Sequence, residues 1–367
     1  MATKIHAKNE VFGIIRQNKV SGSGASAFIA ADSTTDNQWT NPGLAATDYR
    51  TLYLTPGSVI ADPNVQVDEY NLTSQLGLHK ETTNNFVNKV SGLKRVPFAG
   101  IADRNTIAPF LVGALQAVSD VSSTPYQKTI TSGFVAGCID FAAGSGYLHT
   151  IAGKQNEATD DGWLLENAII DTLTLNWNFT QPGKGKLVGM SGTWVGNEFN
   201  SDLTLSGGSG WTATTLAPFN NSDAWSFTTF TVDSVDWKAL CVKSISLTIN
   251  NNVTSNCATS AGKPNQYDVA PTYIWTINMD YNSTTAKVVG DYQAGANVDI
   301  TFLNNAGSGV SGFFSIDMPY GQIISNPSGY DNNYKSYSIQ VEAKQATTVS
   351  PITILVADAL KWAYNEP

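Results

Sequence analysis

The feature that most constrains this chain is a strict alternation of apolar and small polar residues over two long stretches. In KSISLTINNNV, from Lys243 to Val253, one side carries Ile245, Leu247, Ile249 and, beyond Asn251, Val253, while the other carries Ser244, Ser246, Thr248, Asn250 and Asn252. In IIDTLTLNWNF, Ile169, Leu173, Leu175, Trp177 and Phe179 oppose Thr172, Thr174, Asn176 and Asn178. A repeat of two residues is the mark of a β-strand with one covered face. The uncovered side holds hydroxyls and amides where Lys and Glu are usual.

Each stretch has a returning partner. After Phe179 the Pro/Gly turn QPGKGK leads into LVGMSGTWV, where Val188, Met190 and Trp194 alternate with Ser191 and Thr193. After Val253 a Ser/Asn/Gly/Pro-rich connection leads into YIWTINMDY, where Tyr273, Trp275, Ile277, Met279 and Tyr281 oppose Ile274, Thr276, Asn278 and Asp280. Two long hairpins are predicted, at about 168–195 and 242–281, and their likeness points to an internal structural repeat.

Helical periodicity is scarce. TIAPFLVGALQAV places Ile107, Phe110, Leu111, Ala114, Leu115 and Val118 on one side, predicting a helix at about 106–118 capped by Asn105 or Thr106. Ala357 to Tyr364 is a weaker helical pattern after the β-branched run Ile352 to Val356. Residues 1–50 read as a loop-rich arm, with short strands at Arg50 to Leu54 and Ser58 to Ile60. Gly196 to Lys238 reads as an insertion or small decorating subdomain, and Val298 to Leu303, Phe313 to Asp317 and Ser336 to Ala343 as further strands. The expected fold is mainly β, a sandwich or barrel of residues 1–195 and 239–367 with two long hairpins and a short flanking α-helix.

Composition narrows the function. Charged residues make up 14% of the 367 residues, against roughly 25% in an average globular protein. Such a surface fits one covered by other subunits. The net charge of -9 argues against a nucleic-acid binder, which carries a basic footprint; Lys94-Arg95 and Lys184/Lys186 are short basic pairs beside turns. Cys138, Cys241 and Cys257 are odd in number and widely spaced, so no disulfide framework is expected. The start, MATKIHAKNEVFGIIRQNKV, lacks the apolar core of a secretory signal, and no run approaches the roughly 20 apolar residues of a membrane span. A soluble chain folded in a reducing cytosol is expected.

Motifs for chemistry fail one by one. HExxH, CxxC, G-x-S-x-G and a Walker A loop are all missing from the sequence. Gly307-Ser308-Gly309-Val310-Ser311-Gly312 fits the letters GxGxxG, but the next residues, FFSIDMP, alternate like a strand, where a dinucleotide site needs a helix N-terminus. His149 with Asp160 and Asp161 could perform acid/base work, yet no nucleophile accompanies them. No catalytic residue, metal ligand or cofactor is expected. Trp177, Trp194 and Trp275 sit on apolar faces and read as core; Trp39, Trp211 and Trp225, in loops, leave open a carbohydrate-binding β-sandwich of a virion fibre or surface protein.

The run LENAIIDTLTLNWNFTQPGKGKLVGMSGTWVG, the later VKSISLTINNNV with its returning strand, the opening NEVFGIIRQ and the helix near Phe110 to Val118 together resemble the tail tube proteins of long-tailed bacteriophages. The resemblance implies a structural virion protein without enzymatic activity, a β-sandwich or barrel that forms six-membered rings stacked into a hollow tube. It further implies a tape measure protein within that tube during assembly, tail terminator and baseplate or distal tail proteins at its ends, and passage of double-stranded DNA, with assembly in the host bacterial cytoplasm and no membrane partner. A bore that conducts DNA should be wet without offering cations to phosphate. The residues expected to face it are Thr172, Thr174, Asn176, Asn178, Ser191, Thr193, Ser244, Ser246, Thr248, Asn250, Thr276, Asn278 and Asp280. Those expected to pack the core are Leu173, Leu175, Trp177, Phe179, Trp194, Ile245, Leu247, Ile249, Trp275 and Ile277. A bulge near Gly189 or Gly192 would invert a strand.

Overall fold

A computed structural model describes residues 10–16, 19–20, 27–28, 50–59, 65–71, 85–91, 93–120, 126–134, 137–140, 146–155, 162–180, 187–203, 227–237, 242–258, 264–281, 295, 297–304, 313–325, 328–331, 334–345 and 349–358. These are mainly β, with one α-helix among them and large antiparallel sheets. The elements that matter most here are β1 (Lys94–Ile101), α1 (Ile107–Leu115), β2 (Gly162–Asn178), β3 (Gly189–Gly196), β4 (Val242–Asn250), β5 (Thr272–Asp280), β6 (Phe314–Ser325) and β7 (Tyr334–Ala343).

Six of these strands lie side by side in the order β1-β3-β2-β4-β5-β7, every neighbouring pair antiparallel. β2/β3 is the first hairpin. β4 and β5 form the second pair, and the strands Thr254–Ala258 and Pro264–Asp268 in the connection between them join Cys138–Asp140, from earlier in the chain, in a separate three-stranded sheet. The two pairs join through β2 and β4, with Leu173 opposite Ile249 and Thr174 opposite Thr248.

The apolar face of this sheet is covered. Trp177 and Trp275 stack at 6.0 Å and meet Phe302 of the strand Val298–Asn304, while Phe230 of Phe227–Val232 packs on Trp275. At the β1/β3 end Trp194 and Phe98 pack on Phe110 of the helix. Every residue of α1 is buried, which explains why its apolar positions extend all round rather than along one stripe. Its first turn is served by Asp103, whose carboxylate accepts from the Asn105 N–H and the Thr106 hydroxyl and whose carbonyl accepts from the Ile107 N–H. Thr106 holds the N-cap position, as one of the two expected residues, but its side chain makes no capping bond to the helix. The helix stops at Leu115 because Gln116 takes a left-handed φ of 69° and begins a strand, short of the expected Val118.

β2 is long because it belongs to two sheets. Its first half pairs with His149–Gln155 and Glu198–Leu203, its second half with β3 and β4. Between the halves Asn167 has a φ of 51° and a bulge falls between Ile170 and Thr172. The bulge swaps sides: Ile170 joins Leu173 in the main core, and Ile169 turns to a second cluster with Val195, Val253 and Tyr267. Simple alternation, which groups Ile169 with Leu173, fails at this point. β6 is shared in the same way, between Val298–Asn304 and Thr353–Asp358 at one end and β7 at the other.

The ends of the 196–238 stretch are woven into this body. Glu198–Leu203 pairs with β2, Phe227–Val232 pairs with Val298–Asn304, and Phe230 and Trp237 are fully buried. Residues 204–226 between them, most of the 1–50 arm and the 359–364 part of the C-terminal helical pattern lie outside the described residues. Thr353–Asp358 is a strand.

Asn251 holds the bend. Its amide nitrogen donates to the Ala114 carbonyl at 2.9 Å and the Ile170 carbonyl at 2.7 Å, and its N–H donates to the Asp171 carbonyl at 2.7 Å. Asp171 in turn accepts from the Val253 N–H and from Arg95. Asn251→Ala would leave buried carbonyls without a donor, at about 1–3 kcal/mol each. Urea denaturation should show a loss of about 2–6 kcal/mol in unfolding free energy for the two carbonyls together.

Two buried tyrosines set an alkaline limit. Burial pushes the Tyr273 phenol up to about 12, tempered by its hydrogen bond to Ser132, and burial likewise raises Tyr267 well above its ordinary value. Unfolded tyrosines ionise near 10, so above that pH the unfolded chain releases protons that the folded one keeps. Stability should be full below about pH 10 and fall, by about 1.4 kcal/mol per pH unit per tyrosine, as the pH rises towards 12. Chemical denaturation across that range reads the slope.

Candidate functional site: a neutral polar sheet face

The uncovered face of the six-stranded sheet gathers the small polar residues into rows. Thr193, Thr172 and Asn250 stand in register; so do Ser191, Thr174 and Thr248; so do Asn176, Ser246, Thr276 and Gln340; and so do Asn178, Ser244, Asn278 and Ser338. Asp280 lies opposite Ser336 at the end of β5. Asn176 and Ser191 are exposed and the other members of the predicted polar set are half-buried. Register therefore places all thirteen on one surface, although they come from four strands spread over more than a hundred residues.

The rows bond to one another. The hydroxyls of Thr174 and Thr248 meet at 3.2 Å, and the Asn278 amide donates to the Ser244 hydroxyl at 2.9 Å. Cross-strand contacts of this kind stabilise a sheet modestly, and the groups that make them are uncharged. Behind them Leu173, Leu175, Trp177, Trp194, Ile245, Leu247, Ile249, Trp275 and Ile277 are buried, each at 1% exposure or less, and Phe179 is half-buried against the same core. The irregularity on this hairpin falls in β2 rather than at Gly189 or Gly192. Gly192 stays in register with Leu173 and Phe98, and the position admits no side chain, since a Cβ there would stand 2.1 Å from the Thr172 carbonyl and 2.8 Å from the Phe98 ring.

Part of this face is not legible in the two hairpins. β7 extends it with Ser336, Ser338, Gln340 and Glu342, and β1 adds Pro97, Ala99 and Ile101 at the other side. The signal for β7 lies in SYSIQVEA, where Tyr337, Ile339 and Val341 alternate with small polar residues. Lys243 also belongs here. Alternation assigns it to the buried side, but a bulge between Val242 and Ser244 brings its ammonium to 2.9 Å from the Asp280 carboxylate.

Sites for chemistry do not assemble among the described residues. His149 lies in a strand, fully buried and edge-on to Trp194 at 5.7 Å, while Asp160 and Asp161 are outside the described residues. No group of three or more metal-ligating side chains occurs among the described residues. The GxGxxG letters join two antiparallel strands, Val298–Asn304 and β6, with no helix after them among the described residues. Trp177, Trp194 and Trp275 are buried and cannot serve as sugar platforms, and Trp39, Trp211 and Trp225 are outside the described residues. No helix among the described residues is long and apolar enough to cross a membrane.

Because Asn176 and Ser191 are exposed, the paired substitution Asn176→Lys with Ser191→Lys should shift unfolding free energy by no more than about 0.5 kcal/mol per site. A urea titration checks it; a much larger loss would mean that these side chains are packed.

The family model described as Phage tail tube protein matches residues 17–348, which takes in all six strands of the polar-faced sheet and the helix behind it. No curated protein matches the chain. Members of that family are structural components of phage tails rather than enzymes. With a match over most of its 367 residues and a mainly β body that gathers neutral side chains on one face, the chain belongs to the phage tail tube protein family.

Proposed function

We propose that copies of this chain close into rings of six, that the rings stack into the hollow tube of a phage tail, and that the neutral polar face lines the bore through which DNA passes during ejection. The observation that carries this reading is the run of hydroxyl and amide side chains across five adjacent strands, β3, β2, β4, β5 and β7, over a buried apolar side, with Pro97, Ala99 and Ile101 of β1 at one margin and Ile274 within it. Ordinary sheet surfaces exposed to water are studded with Lys and Glu. A conduit for a polyanion has reason to avoid them, since each lysine reaching a phosphate releases counterions and adds grip. Hydroxyls and amides keep the wall wet without that cost.

The sheet's two edges differ in a way that suits a ring. On β1 both the N–H and the carbonyl of Ala99 bond to the Ser58 hydroxyl, and the Thr55 N–H donates to the same carbonyl, so the chain itself covers that edge. On the opposite side residues 322–325 and Ser328–Asp331 pair with β7 alone among the described residues. An exposed strand edge is a liability in a soluble monomer, and a neighbouring copy would remove it. During assembly a tape measure protein would occupy the lumen, with tail terminator and baseplate or distal tail proteins at the two ends. Assembly would take place in the host bacterial cytoplasm and the finished protein would act in the virion.

The reading predicts hollow tubes when purified protein is concentrated and viewed by negative-stain electron microscopy. Persistent monomers that bind a glycan array would overturn it in favour of a carbohydrate-binding module. In a phage carrying Asn176→Lys with Ser191→Lys, tubes of normal diameter should still form while DNA ejection slows. Normal ejection from such tubes would mean that this face does not line the bore.

A further inference from the structure

We infer that Asp280 is an electrostatic mask, cancelling the charge of Lys243 so that this cation on the polar face offers no contact to phosphate. The inference rests on the conduit reading above and assigns a residue role within it.

Lys243 is where a lysine should not be. The bulge between Val242 and Ser244 turns it out of the apolar set, onto a cleft of about 410 Å³ that it shares with Asn278, Ser328, Gly329, Ser336 and Ser338. Met279 and Tyr337 complete the lining, every other lining residue is uncharged, and the volume would admit a phosphate group. Asp280, two residues beyond Asn278 on the adjacent strand, holds the ammonium at 2.9 Å. Both side chains keep partial access to water, at 27% and 39% exposure, and a pair so placed contributes little to stability. Folding gives weak reason for the pairing; neutrality of the face gives a strong one.

The same pattern occurs at the other end of the sheet. Lys344 is bonded to Glu342, which extends the polar row of β7, and Arg95 of β1 is bonded to Asp171. Lys344 and Arg95, like Lys243, thus carry acids that complete a neutral pair, while Lys335, which alternation sets on the opposite side from Ser336, lies over the rings of Tyr281 and Tyr337. An amine already paired with a carboxylate must break that pair before it can release a counterion from DNA, so the pairing removes the grip without removing the lysine.

The test uses full-length protein and a short fluorescent DNA duplex in anisotropy titrations at about 20 mM salt, with Asp280→Asn, Lys243→Gln and the double variant beside the wild type. Unmasking Lys243 in Asp280→Asn should tighten duplex binding by about tenfold or more and steepen its salt dependence by about 0.9 in log–log slope per phosphate engaged. Lys243→Gln and the double variant should bind as the wild type does. Equal binding by Asp280→Asn and wild type would overturn the mask, and so would a gain that persists in the double variant, which would come from losing the acid alone. Glu342→Gln, which unmasks Lys344 at the other end, carries the same test if Asp280→Asn melts early. Electron microscopy of the same samples separates the two ideas: normal tubes without a gain in binding reject the mask and keep the conduit, whereas a wild type that never forms tubes rejects the conduit whatever the titrations give.

Discussion

The bend in the strand Gly162–Asn178 is the constraint on which the rest depends. One strand can serve two sheets only if it changes direction without leaving its backbone groups bare, and a buried carbonyl without a donor is costly. Asn251 and Asp171 meet that need together: the amide of one bonds the carbonyls of Ile170 and Ala114, and the carboxylate of the other bonds the Val253 N–H and Arg95. Through these contacts the helix end, the bulge and the turn after Asn250 are locked to one another. The sheet can then lie with its tryptophans against Phe230 and Phe302 and its hydroxyls outwards.

The run Asn250-Asn251-Asn252 illustrates how one residue type does three jobs. Asn250 faces the polar side and accepts the Asn252 N–H, Asn251 is buried at the bend, and Asn252 adopts a φ of 48° and donates to the Ala270 carbonyl. Asparagine tolerates the left-handed region and bonds its own backbone readily. A face built from hydroxyls and amides supports that economy, since such groups can be turned inwards as caps or outwards as wall without an ion to desolvate.

Much of the fold is legible in the sequence because its signal is local. In Leu173 to Asn178, Ser244 to Asn250 and Tyr273 to Asp280 burial follows the same period of two as the sequence, whereas the helix is buried on every side rather than on the one side its pattern picks out. The misses fall at irregularities. Ile169 and Lys243 sit beside bulges that reverse the side on which a residue projects, and a bulge leaves little mark in a sequence of small residues. Asp103 escapes notice because it braces the turn before the helix from outside the helical pattern, while Thr106 holds the N-cap position without a side-chain bond. β7 reads as a strand but not as part of the polar face, because nothing near Ser336 to Ala343 states which strand it will pair with.

What the sequence determined by itself was the composition of each surface: an apolar side rich in Ile, Leu and Trp and a polar side made of Ser, Thr and Asn, since side-chain direction along a strand comes from the backbone repeat alone. Only the tertiary structure decided how those surfaces join. Strand order, the bends shared between sheets, and the meetings of Lys243 with Asp280 and Arg95 with Asp171 bring together residues far apart in the chain. Such pairings are settled by the packing of the whole core, where one bulge redirects every side chain beyond it.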